Sequence, residues 1–218
     1  MASPFDQSTY QVRFEWGAAG LARLAPADIV VVVDVLRFSS TVPDAVASGT
    51  VVTLADAREW SSNGADVAAS AGEAVVLVGG LRNAAAVARA VQTVQERRQE
   101  RTSVAVIAAG EKAADGTLRF AVEDQLGAGA VIAALTDLGI DHTAPDAAVV
   151  AEGFRALKGA LRHLLSASGS ARELEIGVAS TARMAQSGIV PASVAEAASL
   201  DSSEVVPTLR DGAFVRFA

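Results

Sequence analysis

The chain has 218 residues, no cysteine and a formal net charge of −7, which excludes disulfides, thiolate metal centres and a cysteine nucleophile and argues against nonspecific binding of nucleic acid. It is 51% hydrophobic but only 5% aromatic, a mixture rich in alanine and valine that favours closely packed α/β layers over a disordered chain.

A short edge strand is expected in "YQVRFEW" (10–16), where apolar and polar residues alternate. "ADIVVVVDV" (27–35) is a continuous β-branched run, the mark of a parallel strand covered on both faces. A helix is expected from Ser39 to Ala47, with hydroxyls at its mouth, Pro43 in its first turn and Gly49 just beyond its end. "TVVTLA" (50–55) reads as a strand and "DAREWSSNGADVAAS" as a short helix or loop.

"AVVLVG" (74–79) reads as another buried strand, followed by a helix from about Asn83 to Glu100 whose apolar residues share one face. Its basic end, "ERRQER" (96–101), is interleaved with glutamate and reads as a solvated helix terminus. A strand at 102–110, a polar turn at 111–120, a helix from Val122 to Leu138 and more helix over 145–167 complete the middle. Short helices and a strand pair around Arg210-Asp211-Gly212 close the chain. Strands alternating with helices predict a three-layer α/β/α fold with a largely parallel or mixed central sheet. No stretch rich in Pro, Gly or Ser reads as a linker, so one domain over residues 1–218 is expected.

The N-terminus lacks the layout of a signal peptide. No apolar run approaches the ~20 residues needed to cross a bilayer. A cytoplasmic protein that binds neither membrane nor nucleic acid is expected, and the apolar helix faces make a homodimer plausible.

The chemistry concentrates in "VVVDVLRFSST" (31–41). In open α/β sheets, ligands collect beyond the carboxyl ends of the strands, and Asp34 comes directly after a wholly apolar run. A buried carboxylate there requires a cation, either Arg37, a lysine or a divalent metal. A helix beginning at Ser39, Ser40 and Thr41 offers free N–H groups to an anion, and Arg37 can clamp phosphate or sulfonate oxygens. The plain architectural reading is a strand-end aspartate paired to arginine, with serine as an N-cap.

Two further glutamates flank strands. Glu73 comes after Gly72 and precedes one strand; Glu111 comes after another. Each is either a metal ligand or a solvated loop carboxylate. Glu123 and Asp124 stand in a first helical turn, where acids also complement the dipole. Asn83 near a helix mouth is either a cap or a ligand contact. His142 and His163 lie near no nucleophile elbow, so a Ser-His-Asp hydrolase is not expected. Gly79-Gly80 gives only weak support to a dinucleotide site.

In order, "VVVDVLRFSSTV", "AGE", "VLVGGLRNAAAVARA", "AAGE…VEDQLGAGAVIAAL" and "DSSEVVPTLRDGAFV" resemble the signatures of the 2-phosphosulfolactate phosphatases, over about residues 30 to 216. The resemblance implies a Mg²⁺-dependent phosphatase that converts 2-phospho-3-sulfolactate to sulfolactate and phosphate in coenzyme M biosynthesis. Asp34, Arg37, Ser39, Ser40, Thr41, Gly72, Glu73, Asn83, Glu123 and Asp124 match the family's boxes. On that basis Asp34, Glu73 and Glu123 are the catalytic candidates. Arg37, Ser39, Ser40, Thr41, Gly72 and Asn83 are the candidates for binding a small anionic phosphoester, and Asp34, Glu73 and Asp124 for binding Mg²⁺.

Family members usually carry a Gly-Asn-Ser-Pro stretch and a Thr-Thr-Asn-Gly-Thr-like loop after the Gly-Glu pair. Here Glu73 runs directly into "AVVLVGGLRN". Losing such a polar loop removes part of an anion cradle, which keeps open a second expectation: an inactive or altered member that binds a small anion or a protein partner.

Overall fold

In the computed structural model, which describes residues 3–61, 63–113 and 115–218, the apolar run at 29–33 forms the heart of a sheet. The first elements are β1 (Val12–Trp16), α1 (Gly17–Leu21), β2 (Ile29–Val33) and α2 (Phe38–Ala47), then β3 (Val52–Thr53), α3 (Leu54–Trp60) and α4 (Gly64–Ala69). Next come β4 (Val75–Val78), α5 (Ala84–Arg98), β5 (Val104–Ala108), the small pair β6 (Glu111–Lys112) and β7 (Leu118–Arg119), and α6 (Val122–Asp137). The chain ends with α7 (Pro145–Leu157), α8 (Leu161–Ser166), α9 (Gly169–Ile176), α10 (Ala179–Gln186), α11 (Val194–Ala197), β8 (Pro207–Arg210) and β9 (Ala213–Arg216).

Among the described residues seven strands form the main sheet in the order β1-β5-β2-β4-β8-β9-β3. The first four run parallel; β8, β9 and β3 continue the sheet antiparallel. The expected mixed, mostly parallel α/β/α architecture is present. Side-chain alternation splits β2 between two cores. Ile29, Val31 and Val33 face α5, α6 and α7; Val30 and Val32 face α2, α3 and α4. Burial on both faces explains why the run is uninterrupted by polar residues.

Glycines let α6 lie close to its neighbours. A Cβ at Gly127 would stand 2.5 Å from Val35, and one at Gly129 2.5 Å from the Val150 carbonyl oxygen. The "GAGA" of the sequence is therefore a packing device.

The last strand pair forms as expected, turning on Asp211 (φ 51°) and Gly212 (φ 78°). Both values are positive, as in the two-residue turns that match strand twist. The expected strand at 50–55 shrinks to Val52–Thr53, because the Thr53 hydroxyl accepts the Asp56 N–H (3.0 Å) and caps α3. The segment after it divides into two helices, α3 and α4. The outer edge of β1 is covered by the chain's own start: the Gln7 side-chain amide donates to the Phe14 carbonyl oxygen (2.9 Å) and accepts the Phe14 N–H (3.0 Å). Among the described residues no helix is long and apolar enough to cross a membrane.

Candidate active site at the ends of β2 and β5

β2 and β5 are neighbours in the sheet. The helix after β2 packs on one face and the helix after β5 on the other, which opens a crevice beyond their carboxyl ends. A cavity of about 120 Å³ lies there, walled by Asp34, Arg37, Trp60, Glu111, Glu123 and Asp124, with Ser170, Glu173 and Ser180 among the residues from α9 and α10.

Asp34 directly succeeds β2. Its Oδ1 accepts the Phe38 N–H (3.3 Å), and its Oδ2 accepts the Gly64 N–H (3.1 Å) and the Ser61 hydroxyl (3.4 Å). Burial, reinforced by the charges of Glu111 and Glu123, pushes its carboxyl up to about 6 against the pull of the two backbone donors. Gly64 is required at this spot, since a Cβ there would stand 2.7 Å from Asp34 Oδ2 and 2.8 Å from the Phe38 ring.

Asp124 joins the two strand ends. Its Oδ1 accepts the Val35 N–H (2.7 Å) and its Oδ2 the Gly110 N–H (2.9 Å). Burial, then the charges of Asp34 and Glu123, hold its carboxyl well above the usual range. Neighbouring Glu123, also buried, accepts the Ser170 hydroxyl. Glu111, half-buried just past β5, accepts the Lys112 N–H (3.0 Å) and a side-chain bond from Asn63. Burial first, then Glu173 and Glu123, raise its pKa.

Arg37 is the cation of the cavity wall. Only 9% of it is exposed, yet among the described residues no carboxylate forms an ion pair with it. Its NH1 donates to Thr181 Oγ1 (2.8 Å) and its NH2 to Ser180 Oγ (3.1 Å). The indole N–H of Trp60, another wall residue, is buried without a partner among the described residues. Buried donors of this kind suit an acceptor-rich guest.

Of the residues proposed from sequence, Asp34, Arg37, Glu111, Glu123 and Asp124 meet at this cavity; Gly72, Glu73, Ser39, Ser40, Thr41 and Asn83 are not part of its wall. Gly72 and Glu73 precede β4, at the opposite end of the sheet, beside Asp28 and Arg98. The two ends of a strand lie at opposite edges of a parallel sheet, and Glu73 is at the start of β4 while Asp34 is past the end of β2, so Glu73 cannot join Asp34. Glu111 stands past the end of its strand and takes the place expected of Glu73.

Ser39, Ser40 and Thr41 are buried outside the cavity wall. The helix starts one residue early, at Phe38, and the hydroxyls serve the backbone. Ser39 accepts the Asp34 N–H (3.1 Å), Ser40 donates to the Val35 carbonyl (2.7 Å) and Thr41 accepts the Ala192 N–H (3.2 Å). Asn83 is fully buried; it accepts the Gly80 N–H (3.0 Å) and donates to the carbonyls of Val78 (3.2 Å) and Val205 (2.9 Å), which makes it a cap and a tie to the segment that leads into β8. Ser170, Glu173, Ser180 and Thr181 come from a distant segment that carries no local sequence signal of a site.

Among the described residues no three Asp, Glu or His side chains are disposed to hold a metal ion by themselves. The donors are nevertheless carboxylate oxygens, the hard ligands Mg²⁺ takes, and Mg²⁺ commonly uses one or two carboxylates completed by water and phosphate oxygens.

The model of the family described as 2-phosphosulpholactate phosphatase matches residues 59–212. That stretch includes Glu111, Glu123 and Asp124 and leaves Asp34 and Arg37 outside it. No curated protein matches the chain.

Proposed function

The chain belongs to the 2-phosphosulpholactate phosphatase family, and from that premise and the geometry of the cavity we propose that it is a Mg²⁺-dependent phosphatase acting on a small phosphorylated acid, 2-phospho-3-sulfolactate being the substrate that the family's name suggests. The observation that carries the reading is the meeting, in one small cavity, of a wall of clustered acids and a buried Arg37 that forms no ion pair among the described residues.

Arg37 would bind an anionic group of the substrate through its free N–H donors, and the Trp60 N–H would supply a further donor. Asp34 together with Glu123 would hold Mg²⁺, which when bound neutralises charge on phosphoryl oxygens. Glu111, at the rim, would accept the proton of the attacking water at its carboxylate. Asp124 would keep the ends of β2 and β5 in register so that these groups face one another. α9 and α10 would limit the water admitted to the site.

The reading is tested by assaying a panel of small phosphoesters, phosphosulfolactate among them, with and without Mg²⁺. Mg²⁺-dependent release of phosphate that falls at least a hundredfold in Asp34→Asn is the expected result. The altered-member reading draws on the absence of a ready-made set of three metal ligands among the described residues. It would be favoured by a chain that hydrolyses none of the panel yet is thermally stabilised by phosphate or sulfolactate.

A further inference from the structure

One excursion of the chain, α9 and α10 with Gly177 between them, touches the charged groups of the site on both sides. Ser170 at the start of α9 donates to Glu123, and Ser180 and Thr181 in the first turn of α10 accept from Arg37. The excursion is fastened by the buried side chains of Ala171 and Met184 and by a bond from Arg183 to the Glu59 carbonyl oxygen, so the hydroxyls rest on an anchored support.

The choice of hydroxyls has a physical consequence. A carboxylate partner would orient the guanidinium but also cancel its charge, and a guest anion would then have to compete with a buried ion pair. A hydroxyl accepts one N–H while remaining neutral, and it keeps its own O–H free to donate. Two hydroxyls on adjacent residues fix the plane of the guanidinium fork and leave its charge and its remaining donors for a ligand.

We propose that Ser180 and Thr181 are positioning residues that set the anion affinity of the site by holding Arg37 in a charged, correctly aimed pose. The inference rests on the reading of Arg37 as the receptor for a substrate anion, and it deepens that reading by naming what aims it.

The test is the Kd of inorganic phosphate, measured calorimetrically on the full chain. Ser180→Ala combined with Thr181→Val should weaken phosphate binding about tenfold, and Ser180→Ala combined with the conservative Thr181→Ser should recover most of the loss. The same pair of changes made on top of Arg37→Ala, or of Arg37→Lys should the alanine variant not fold, should change the Kd less than twofold, because the residue they aim is gone. Unaltered affinity in the double variant, or an equal loss without Arg37, overturns the proposal, as does a parent chain that binds no phosphate. Turnover does not enter the measurement: a chain that binds phosphate but hydrolyses no phosphoester would refute the phosphatase reading while the Kd ratios still decide the role of the hydroxyls.

Discussion

Gly64 donates its backbone N–H to Asp34 Oδ2 across 3.1 Å, although thirty positions separate them in sequence. The contact is close because Gly64 has no side chain. In Gly64→Ala the new methyl group would meet both the carboxylate and the Phe38 ring inside 3 Å, and neither is a flexible chain end. Overpacking of this kind costs about 1–3 kcal/mol. Gly64→Ala should lower stability by that amount in urea titrations and lower kcat more than a surface Gly→Ala change does, since Asp34 must shift to make room.

Asp124 satisfies two buried N–H groups from different strand ends. Asp124→Ala would leave both unpaired, at about 1–3 kcal/mol each. Asp124→Asn retains one acceptor and turns an amide donor towards an N–H. Both variants should be destabilised, the alanine variant by about 2–5 kcal/mol and the asparagine variant by less, as read from chemical denaturation. A loss of activity without a loss of stability in Asp124→Asn would instead mark the residue as chemically active.

The carboxyl of Asp34 has a folded-state pKa of about 6, against an unfolded value near 4. Between those limits the folded chain holds a proton that the unfolded chain has released, so stability falls as pH rises. Asp124 and Glu111, also raised, act in the same direction. Metal-free protein should therefore become more stable on going from pH 7.5 to pH 5, by about 1–1.5 kcal/mol for Asp34 alone. Asp34→Asn should flatten this dependence. Asp28, whose pKa is lowered by Ser103 and Arg98 despite partial burial, opposes the trend only at still lower pH.

Glu111 and Glu73 provide a matched pair. Glu111→Gln removes a carboxylate from the cavity wall and should reduce Mg²⁺-dependent phosphoester turnover at least tenfold. Glu73→Gln, at the other end of the sheet, should leave kcat and KM within twofold of the parent. Steady-state kinetics on the two variants decides between the sequence expectation and the observed placement.

The layers of the fold were readable because β2, β4 and β5 are apolar on both faces, a pattern that few other environments produce. Asp34 and Arg37 were readable because they come directly after such a run. The error over Glu73 was avoidable in principle: both Gly-Glu pairs border strands, but only Glu111 comes after its strand, and ligand sites gather after strands. The hydroxyls at 39–41 misled because short polar side chains at a strand-to-helix junction serve backbone donors and acceptors as readily as ligands. Ser180 and Thr181 could not have been found locally, since they reach Arg37 from more than 140 residues away.

The Gln7 side chain occupies both hydrogen-bonding groups of Phe14 on the open flank of β1. Further back on the same flank Val12 is held by the segment 142–144, donating to the His142 carbonyl oxygen and accepting the Ala144 N–H, so the amide extends a short natural neighbour by one residue. Clipping the chain ahead of residue 10 would leave the cavity end of the sheet intact but bare the N–H and carbonyl of Phe14, a pair able to recruit a second molecule. Dimers or precipitate from such a truncated form would reflect that uncovered flank rather than a native interface.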